Sequence, residues 1–273
     1  MKGLISSFCL VALMSLVPVS AWAQAQATAS KPATQTAKPR TAAAAHSGTD
    51  PALLHPATLK AQAPDEYDVK FVTTKGDFVV HVTRAWAPLG ADRFYNLVKH
   101  HFYDGCTFFR YVDGFVVQFG LTGTPAVNKA WNDASIKDDP VKASNKAGFI
   151  TFAMGGKDTR TTQVFINLSD NARLDAMGFP PFGEVTSGMD VVKSFYSGYG
   201  EATTNKQGEI TNEGKTFLDK NFPKLDSIKT ATIVPAASAI SGGAAKPAAS
   251  STSAAKPAAS GTDKPKPAAK PQQ

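Results

Sequence analysis

The sequence has very little cysteine. Its 273 residues include two, Cys9 and Cys106, which excludes a disulfide framework and a zinc site built from cysteines. It also lacks the His-Glu-x-x-His, Gly-x-Ser-x-Gly and dinucleotide-binding glycine patterns. These absences leave no support for a zinc protease, a serine hydrolase or a nicotinamide-dependent enzyme. We therefore expect neither a metal nor a cofactor.

Charge is also sparse, and the positive excess lies outside the central segment. Lys and Arg number 29 against 22 Asp and Glu, a net charge of +7, yet residues 65–234 hold 19 basic and 20 acidic residues. The excess belongs to 24–64 and 235–273. Because a nucleic-acid-binding fold needs a basic face on its folded core, we expect no nucleic-acid partner.

The first 23 residues have the pattern of a signal peptide. Lys2 precedes an apolar run, and Ala21-Trp22-Ala23 supplies the small residues that a signal peptidase accepts. The run is too short for a comfortable membrane span. We predict cleavage near Ala23, export to the periplasm or beyond, and no transmembrane span in the mature protein. Its remaining thiol, Cys106, is expected to act as a small buried apolar group.

Two low-complexity flanks surround one globular segment. Residues 24–64 are rich in Ala, Thr, Pro and Lys, and residues 235–273 repeat Ala-Ala-Lys-Pro-Ala-Ala-Ser. Both have too few large apolar side chains to offset the entropy of ordering, so we predict a disordered linker and a disordered tail. The tail is either a solvated tether or a basic arm that contacts an anionic envelope surface. Residues 65–234 remain as one domain.

Within 65–234, short alternating segments predict many strands and few helices. Helical spacing is confined to Pro88–Tyr103 and Gly188–Tyr196. The pattern predicts a mainly β fold of seven or eight strands, a closed antiparallel barrel with helices covering its ends. The predicted strands are Tyr67–Thr73, Phe78–Thr83, Thr107–Val112, Phe115–Phe119, Phe149–Met154, Gln163–Leu168, Pro181–Val185 and Asp226–Val234.

Unusual polar residues are concentrated on three of these strands. Arg110 and Gln118 are long polar residues among aromatic and β-branched neighbours, and Gln163 has a similar setting. On spacing alone, two interpretations are equally good. One is a functional site; the other is a buried arginine paired to an acid, with glutamines capping barrel backbone.

At these residues the sequence resembles the cyclophilin-type peptidyl-prolyl cis-trans isomerases, over about Tyr67 to Val234. Three motifs in the family's order carry the resemblance. They are Phe108-Phe109-Arg110 with Gly114-Phe115 and Gln118-x-Gly120, then Gln163-x-Phe165-Ile-Asn167, then Asn171-x-x-Leu174-Asp175 with Phe182-Gly183-x-Val185. The family's fold, an eight-stranded barrel capped by two helices, agrees with the strand pattern.

The resemblance implies an enzyme without cofactor that accelerates rotation about Xaa–Pro peptide bonds. Arg110 takes the position of the charged donor, and Gln118 that of the residue that holds Arg110 or the substrate carbonyl. The implied substrate contacts are Phe115, Val116, Phe152, Ala153, Met154, Gln163, Phe165, Arg173, Leu174 and Phe179.

Several positions depart from the family pattern. Phe109 replaces a common His, and Arg173 replaces an aromatic residue that contacts cyclosporin. Phe179 stands in the place of a pocket His. The other departures are Asp113 for Pro, Val116 for Met, Phe119 for Gly and Met154 for Asn. We expect catalysis to survive these changes and cyclosporin to bind weakly.

Two functions therefore compete. The first is a monomeric prolyl isomerase that assists folding of exported proteins. The second is a non-catalytic or chaperone-like module whose slot merely binds Pro-containing segments. Arg110, Gln118 and Phe165 favour the enzyme. In both, the partners are proline-containing unfolded or extended polypeptides.

Overall fold

Eight antiparallel strands form one curled sheet in the computed structural model, which describes residues 48–235. Their order across the sheet is β3-β4-β6-β5-β7-β2-β1-β8. The mainly β prediction is confirmed, and each strand falls within about three residues of a predicted one. The strands are β1 Glu66–Thr73, β2 Asp77–Thr83, β3 Arg110–Val112, β4 Val116–Phe119, β5 Phe149–Phe152, β6 Val164–Asn167, β7 Pro181–Ser187 and β8 Ile228–Val234.

The prediction of a closed barrel is wrong, because no ladder joins the outer strands β3 and β8 in the described residues. The segment before β3 meets the start of β8 instead, through an isolated bridge between Thr107 and Ser227 and backbone hydrogen bonds of Ile228 with Gly105 and Cys106. Beyond it, the Phe109 carbonyl accepts a hydrogen bond from Thr203 Oγ1. The carbonyl just before β3 is therefore bonded to the segment that precedes β8 and not to β8 itself.

The concave side of the sheet is filled by aromatic and branched side chains. The rings of Phe71 and Phe78 stack with centroids 4.7 Å apart, and Phe119 meets Phe71 edge-on at 5.8 Å. Cys106 is fully buried in the same core. This burial confirms the expected role as a small buried group. It also raises the pKa of the thiol above the ordinary range.

Six α-helices lie within residues 48–235, where the sequence predicts two. The predicted pair is present but shorter, as α1 Pro88–Lys99 and α4 Met189–Lys193. The four others are one to two turns long, too short to give a clear apolar period. None is long and apolar enough to cross a membrane. The helices are α1 Pro88–Lys99, α2 Pro125–Trp131, α3 Arg173–Ala176, α4 Met189–Lys193, α5 Gln207–Glu213 and α6 Lys215–Asn221.

Residues 48–64 were expected to be part of a disordered linker, but they pack on the domain. They include the 3-10 helices Pro51–Leu54 and Pro56–Thr58. Leu53 is buried, and its carbonyl accepts a hydrogen bond from Trp131 Nε1 at 2.8 Å. The predicted signal peptide, the linker up to residue 47 and the tail from residue 236 lie outside the described residues.

Candidate active site

The strand register brings three of the predicted site residues into one row. Arg110 on β3 lies opposite Gln118 on β4, and Gln118 lies opposite Phe165 on β6. Residues that face each other across neighbouring strands present their side chains on the same face of the sheet. Val116 lies two residues before Gln118 and shares that face. The row therefore places a guanidinium, an amide and an aromatic ring side by side.

Hydrogen bonds fix the polar end of this row. Nη1 of Arg110 donates to Oε1 of Gln118 at 3.3 Å. Nε2 of Gln118 then donates to Oε1 of Gln163 at 2.8 Å. Gln118 is only 7% exposed, and both ends of its buried amide have hydrogen-bond partners. These partners hold the amide oxygen toward the arginine.

Beside the arginine lies an apolar slot with a volume of about 250 Å³. Val116, Phe165 and Leu174 are its buried members. The ring of Phe179 meets Phe165 at 5.8 Å and an interplanar angle of 67°. The slot residues form a cluster separate from the main core. The lining comprises Arg110, Phe115, Val116, Gln118, Ala153, Met154, Phe165, Leu174, Phe179, Thr204 and Gln207.

A carboxylate holds the other side of the arginine. Nε and Nη2 of Arg110 donate to the two oxygens of Glu201 at 3.0 and 2.7 Å, a bidentate ion pair. Glu201 also accepts from the Thr204 hydroxyl at 2.6 Å. The hydrogen bonds from Arg110 and Thr204 lower the pKa of Glu201 from 4.5 to about 2.

At the rim of the slot, Phe115 lies between two guanidinium groups. Arg173 lies 4.6 Å from the ring centroid and Arg110 lies 5.7 Å from it. Arg173 is exposed and lines a shallow groove with Gly114 and Asp170. It therefore flanks the slot and does not line it.

Within the part of the chain that the structure describes, no group of three or more His, Cys, Asp or Glu side chains could hold a metal ion. The chemistry available at this site comes from a fixed cation, amide groups and an apolar cavity.

The family model described as cyclophilin type peptidyl-prolyl cis-trans isomerase/CLD matches residues 68–215, more than half of the chain. A peptidyl-prolyl cis-trans isomerase of Acinetobacter baylyi is 35% identical over 179 residues, which cover 63% of this chain and 93% of that protein. Peptidyl-prolyl cis-trans isomerase A of Dickeya dadantii is 34% identical over 128 residues, 45% of this chain and 67% of that protein. The chain belongs to the cyclophilin-type peptidyl-prolyl cis-trans isomerases.

A solved cyclophilin-type isomerase of Cryptosporidium parvum aligns with 62% of this chain and 98% of its own, with a TM-score of 0.45 and 19% sequence identity.

Most of the residues implied by the resemblance come together in this cyclophilin, and three do not line the slot. Phe152 is fully buried in the main core, with its ring 5.2 Å from that of Phe182. Gln163 contacts Gln118 and lines a neighbouring polar groove. Arg173 lies at the rim. Strand alternation accounts for Phe152, because its side chain points to the opposite face from its neighbour Ala153.

Residues 201–207 of this cyclophilin belong to the segment between α4 and β8, where the sequence predicts no element. Thr204 and Gln207 line the slot, and Glu201 pairs with the Arg110 guanidinium. The same segment covers Phe109, which packs with Ile210 of α5 and takes the place of the family's common His. No local pattern could have paired Glu201 with Arg110, because 91 residues separate them.

Proposed function

We propose that the enzyme isomerises Xaa–Pro bonds without a covalent intermediate, by stabilising the twisted amide beside Arg110. The observation that carries the proposal is the placement of a fixed guanidinium in the wall of an apolar slot. The slot accepts the pyrrolidine ring, and the cation lies where the reacting amide would be.

The chemistry of the reaction explains why these groups are sufficient. Rotation breaks the resonance of the amide, which gives a barrier of about 18–20 kcal/mol. In the twisted state the proline nitrogen is pyramidal and more basic, so a donor beside it binds that state more tightly than either planar isomer. Arg110 suits this role, since its guanidinium is always charged and has a rigid fork of donors.

Backbone groups in the wall of the slot support binding of an extended peptide. The Ala153 N–H donates to the Gln163 carbonyl at 2.9 Å, so it is already engaged. We assign the Ala153 carbonyl and the Met154 backbone to the residue before proline, through strand-like hydrogen bonds. This mode of recognition uses the substrate backbone and is consistent with many proline-containing polypeptides as substrates.

The setting of the reaction is part of the proposal. The signal-peptide pattern of residues 1–23 supports export, and proteins folding outside the cytoplasm would be the substrates. Amino-terminal sequencing of the protein recovered from cell fractions tests this. A periplasmic or secreted chain that begins at Gln24 would support export, and an uncleaved cytoplasmic chain would contradict it.

A protease-coupled isomerisation assay on an Ala-Pro peptide tests the role of Arg110. We expect Arg110→Ala to lower kcat/KM at least about tenfold, since loss of one transition-state donor typically costs 10²–10³ in rate. Arg110→Lys keeps the charge but not the fork and should recover only part of the activity.

Two control measurements complete this test. Urea unfolding and peptide binding, followed by NMR, should show that the variants fold and still bind. An Arg110→Ala variant with normal stability and an unchanged rate would remove Arg110 from the mechanism. A wild type that binds the peptide without accelerating isomerisation would support the non-catalytic alternative.

A further inference from the structure

We propose that Glu201 is a positioning residue for Arg110, so that an acid from the segment between α4 and β8 sets the orientation of the catalytic guanidinium. The inference rests on the proposed role of Arg110. It assigns a part in the reaction to a residue that makes no contribution to the slot lining itself.

Three of the five donors of the Arg110 guanidinium have partners in the fold. A guanidinium has five N–H groups. Two of them, on Nε and Nη2, donate to Glu201, and one on Nη1 donates to Gln118. One donor on Nη1 and one on Nη2 remain for a substrate. Because partners hold two different edges of the planar group, its rotation about the side-chain bonds is restricted before a substrate binds.

Glu201 is itself held in place by hydrogen bonds from Thr204. Its Oε2 accepts a hydrogen bond from Thr204 Oγ1, and its carbonyl accepts one from the Thr204 backbone N–H at 3.0 Å. Thr203, two residues after Glu201, is fully buried, and its hydroxyl donates to the carbonyl of Phe109. Phe109 directly precedes Arg110. The carboxylate and the guanidinium are therefore fixed to the same point of the backbone.

The exposure of the Arg110–Glu201 ion pair indicates a role in orienting Arg110 and only a small contribution to stability. The Glu201 side chain is 55% exposed, and ion pairs this accessible to water contribute little to the free energy of unfolding. In contrast, the Arg110 side chain is 18% exposed and lines the slot. Removing the carboxylate should thus leave the fold intact and let the guanidinium adopt other rotamers. The expected loss is in turnover.

The test compares Glu201→Gln with the wild type in exchange NMR on an Ala-Pro peptide, which gives kcat and KM separately. We expect kcat to fall about tenfold with little change in KM, since the ground state uses the slot and the twisted state uses the oriented donor. Glu213→Gln makes the same chemical change at an exposed position at the end of α5. It should have wild-type kcat.

Two further measurements separate positioning from a structural role. The Arg110 Nε–H resonance should be protected from exchange in the wild type and in Glu213→Gln, and should lose that protection in Glu201→Gln. In the Arg110→Ala background, Glu201→Gln should cause no further loss of kcat. Urea unfolding of each variant establishes that the comparison is made between folded proteins.

Three outcomes would overturn the inference. A higher kcat in Glu201→Gln would mean that the carboxylate competes with the substrate for Arg110. An unchanged kcat in Glu201→Gln, with activity lost in Arg110→Ala, would reject the positioning role and leave the proposed function intact. Full activity in Arg110→Ala would reject the proposed function, and the role of Glu201 with it.

Discussion

Arg110 and Gln118 lie directly opposite each other on β3 and β4, and Nη1 of the arginine donates to Oε1 of the glutamine at 3.3 Å. The pairing depends on strand register, because a shift of one residue would send the two side chains to opposite faces. Gln163 accepts from Nε2 of Gln118 at 2.8 Å and so keeps the amide oxygen turned toward Arg110. The Arg110 guanidinium is thus tied to the fold through the sheet.

We predict that Gln118→Leu lowers kcat/KM about tenfold, because a hydrogen bond to a charged group contributes about 1.5–3 kcal/mol. We expect a smaller loss of kcat/KM in Gln163→Leu, since this change removes neither the donor nor the acceptor of the Arg110–Gln118 bond. The isomerisation assay on an Ala-Pro peptide measures both variants. No loss in Gln118→Leu would show that the Arg110–Gln118 bond has no effect on the reaction.

Two phenylalanines on neighbouring strands separate the slot from the core. Phe165 belongs to the slot cluster, whereas Phe152 belongs to the main core. We predict that Phe165→Leu weakens peptide binding severalfold with a small effect on unfolding. Phe152→Leu should lower the free energy of unfolding by about 1 kcal/mol and leave peptide binding unchanged. NMR titration and urea unfolding measure the two quantities. A binding defect in Phe152→Leu would return that residue to the substrate site.

The low pKa of Glu201, about 2, predicts how the ion pair responds to acid. The folded pKa lies below the ordinary 4.5, so the stabilisation is present above pH 4.5 and is lost as the pH falls toward 2. We predict that wild type and Glu201→Gln differ in unfolding free energy by a constant, small amount between pH 7 and 5. The difference should vanish by about pH 2.

Urea unfolding at a series of pH values measures this difference, and 0.5 M NaCl should reduce it at pH 7, because the carboxylate is exposed and screened. A difference that grows as the pH falls would contradict the assignment of the low pKa to the Arg110 pair.

Arg173 predicts weak inhibition by cyclosporin. The guanidinium lies 4.6 Å from the Phe115 ring centroid at the rim of the slot and presents a hydrated charge there. Arg173→Trp would replace it with apolar area and an indole donor, for a gain of about 1–3 kcal/mol in affinity. Inhibition titrations of both proteins measure this. Nanomolar inhibition of the wild type, or no gain in the variant, would show that residue 173 does not contact the inhibitor.

The sequence predicts the sheet well, because strand alternation is a short-range pattern, whereas the slot residues follow from the family resemblance. Alternation sets the face of Arg110, Gln118 and Phe165, and the register of three adjacent strands then brings them together. The same rule, applied consistently, would have placed Phe152 in the core. Its assignment to the substrate came from the resemblance, which covers a stretch of backbone and not the direction of each side chain.

The sequence fails where pairing is long-range and local patterns are weak. The segment that carries Glu201 has short helices. Their apolar residues, such as Ile210 and Leu218, pack in a small cluster with Phe109. Strand number, on which the closed barrel is predicted, does not specify whether the two edge strands, β3 and β8, meet. The Thr203 contact with the Phe109 carbonyl, across 94 residues, engages the backbone before β3.

Two adjacent leucines in the segment 48–64 distinguish a docked segment from a disordered linker. Leu53 is 3% exposed and its carbonyl is bonded to Trp131, whereas Leu54 is 44% exposed. We predict that Leu53→Ala lowers the free energy of unfolding by about 2 kcal/mol or more, through lost burial and a residual cavity. Leu54→Ala should change it by less than about 0.5 kcal/mol. Urea unfolding of the mature chain measures both. Equal, small effects would restore residue 64 as the boundary of the folded domain, since a disordered segment makes no distinction between neighbouring side chains.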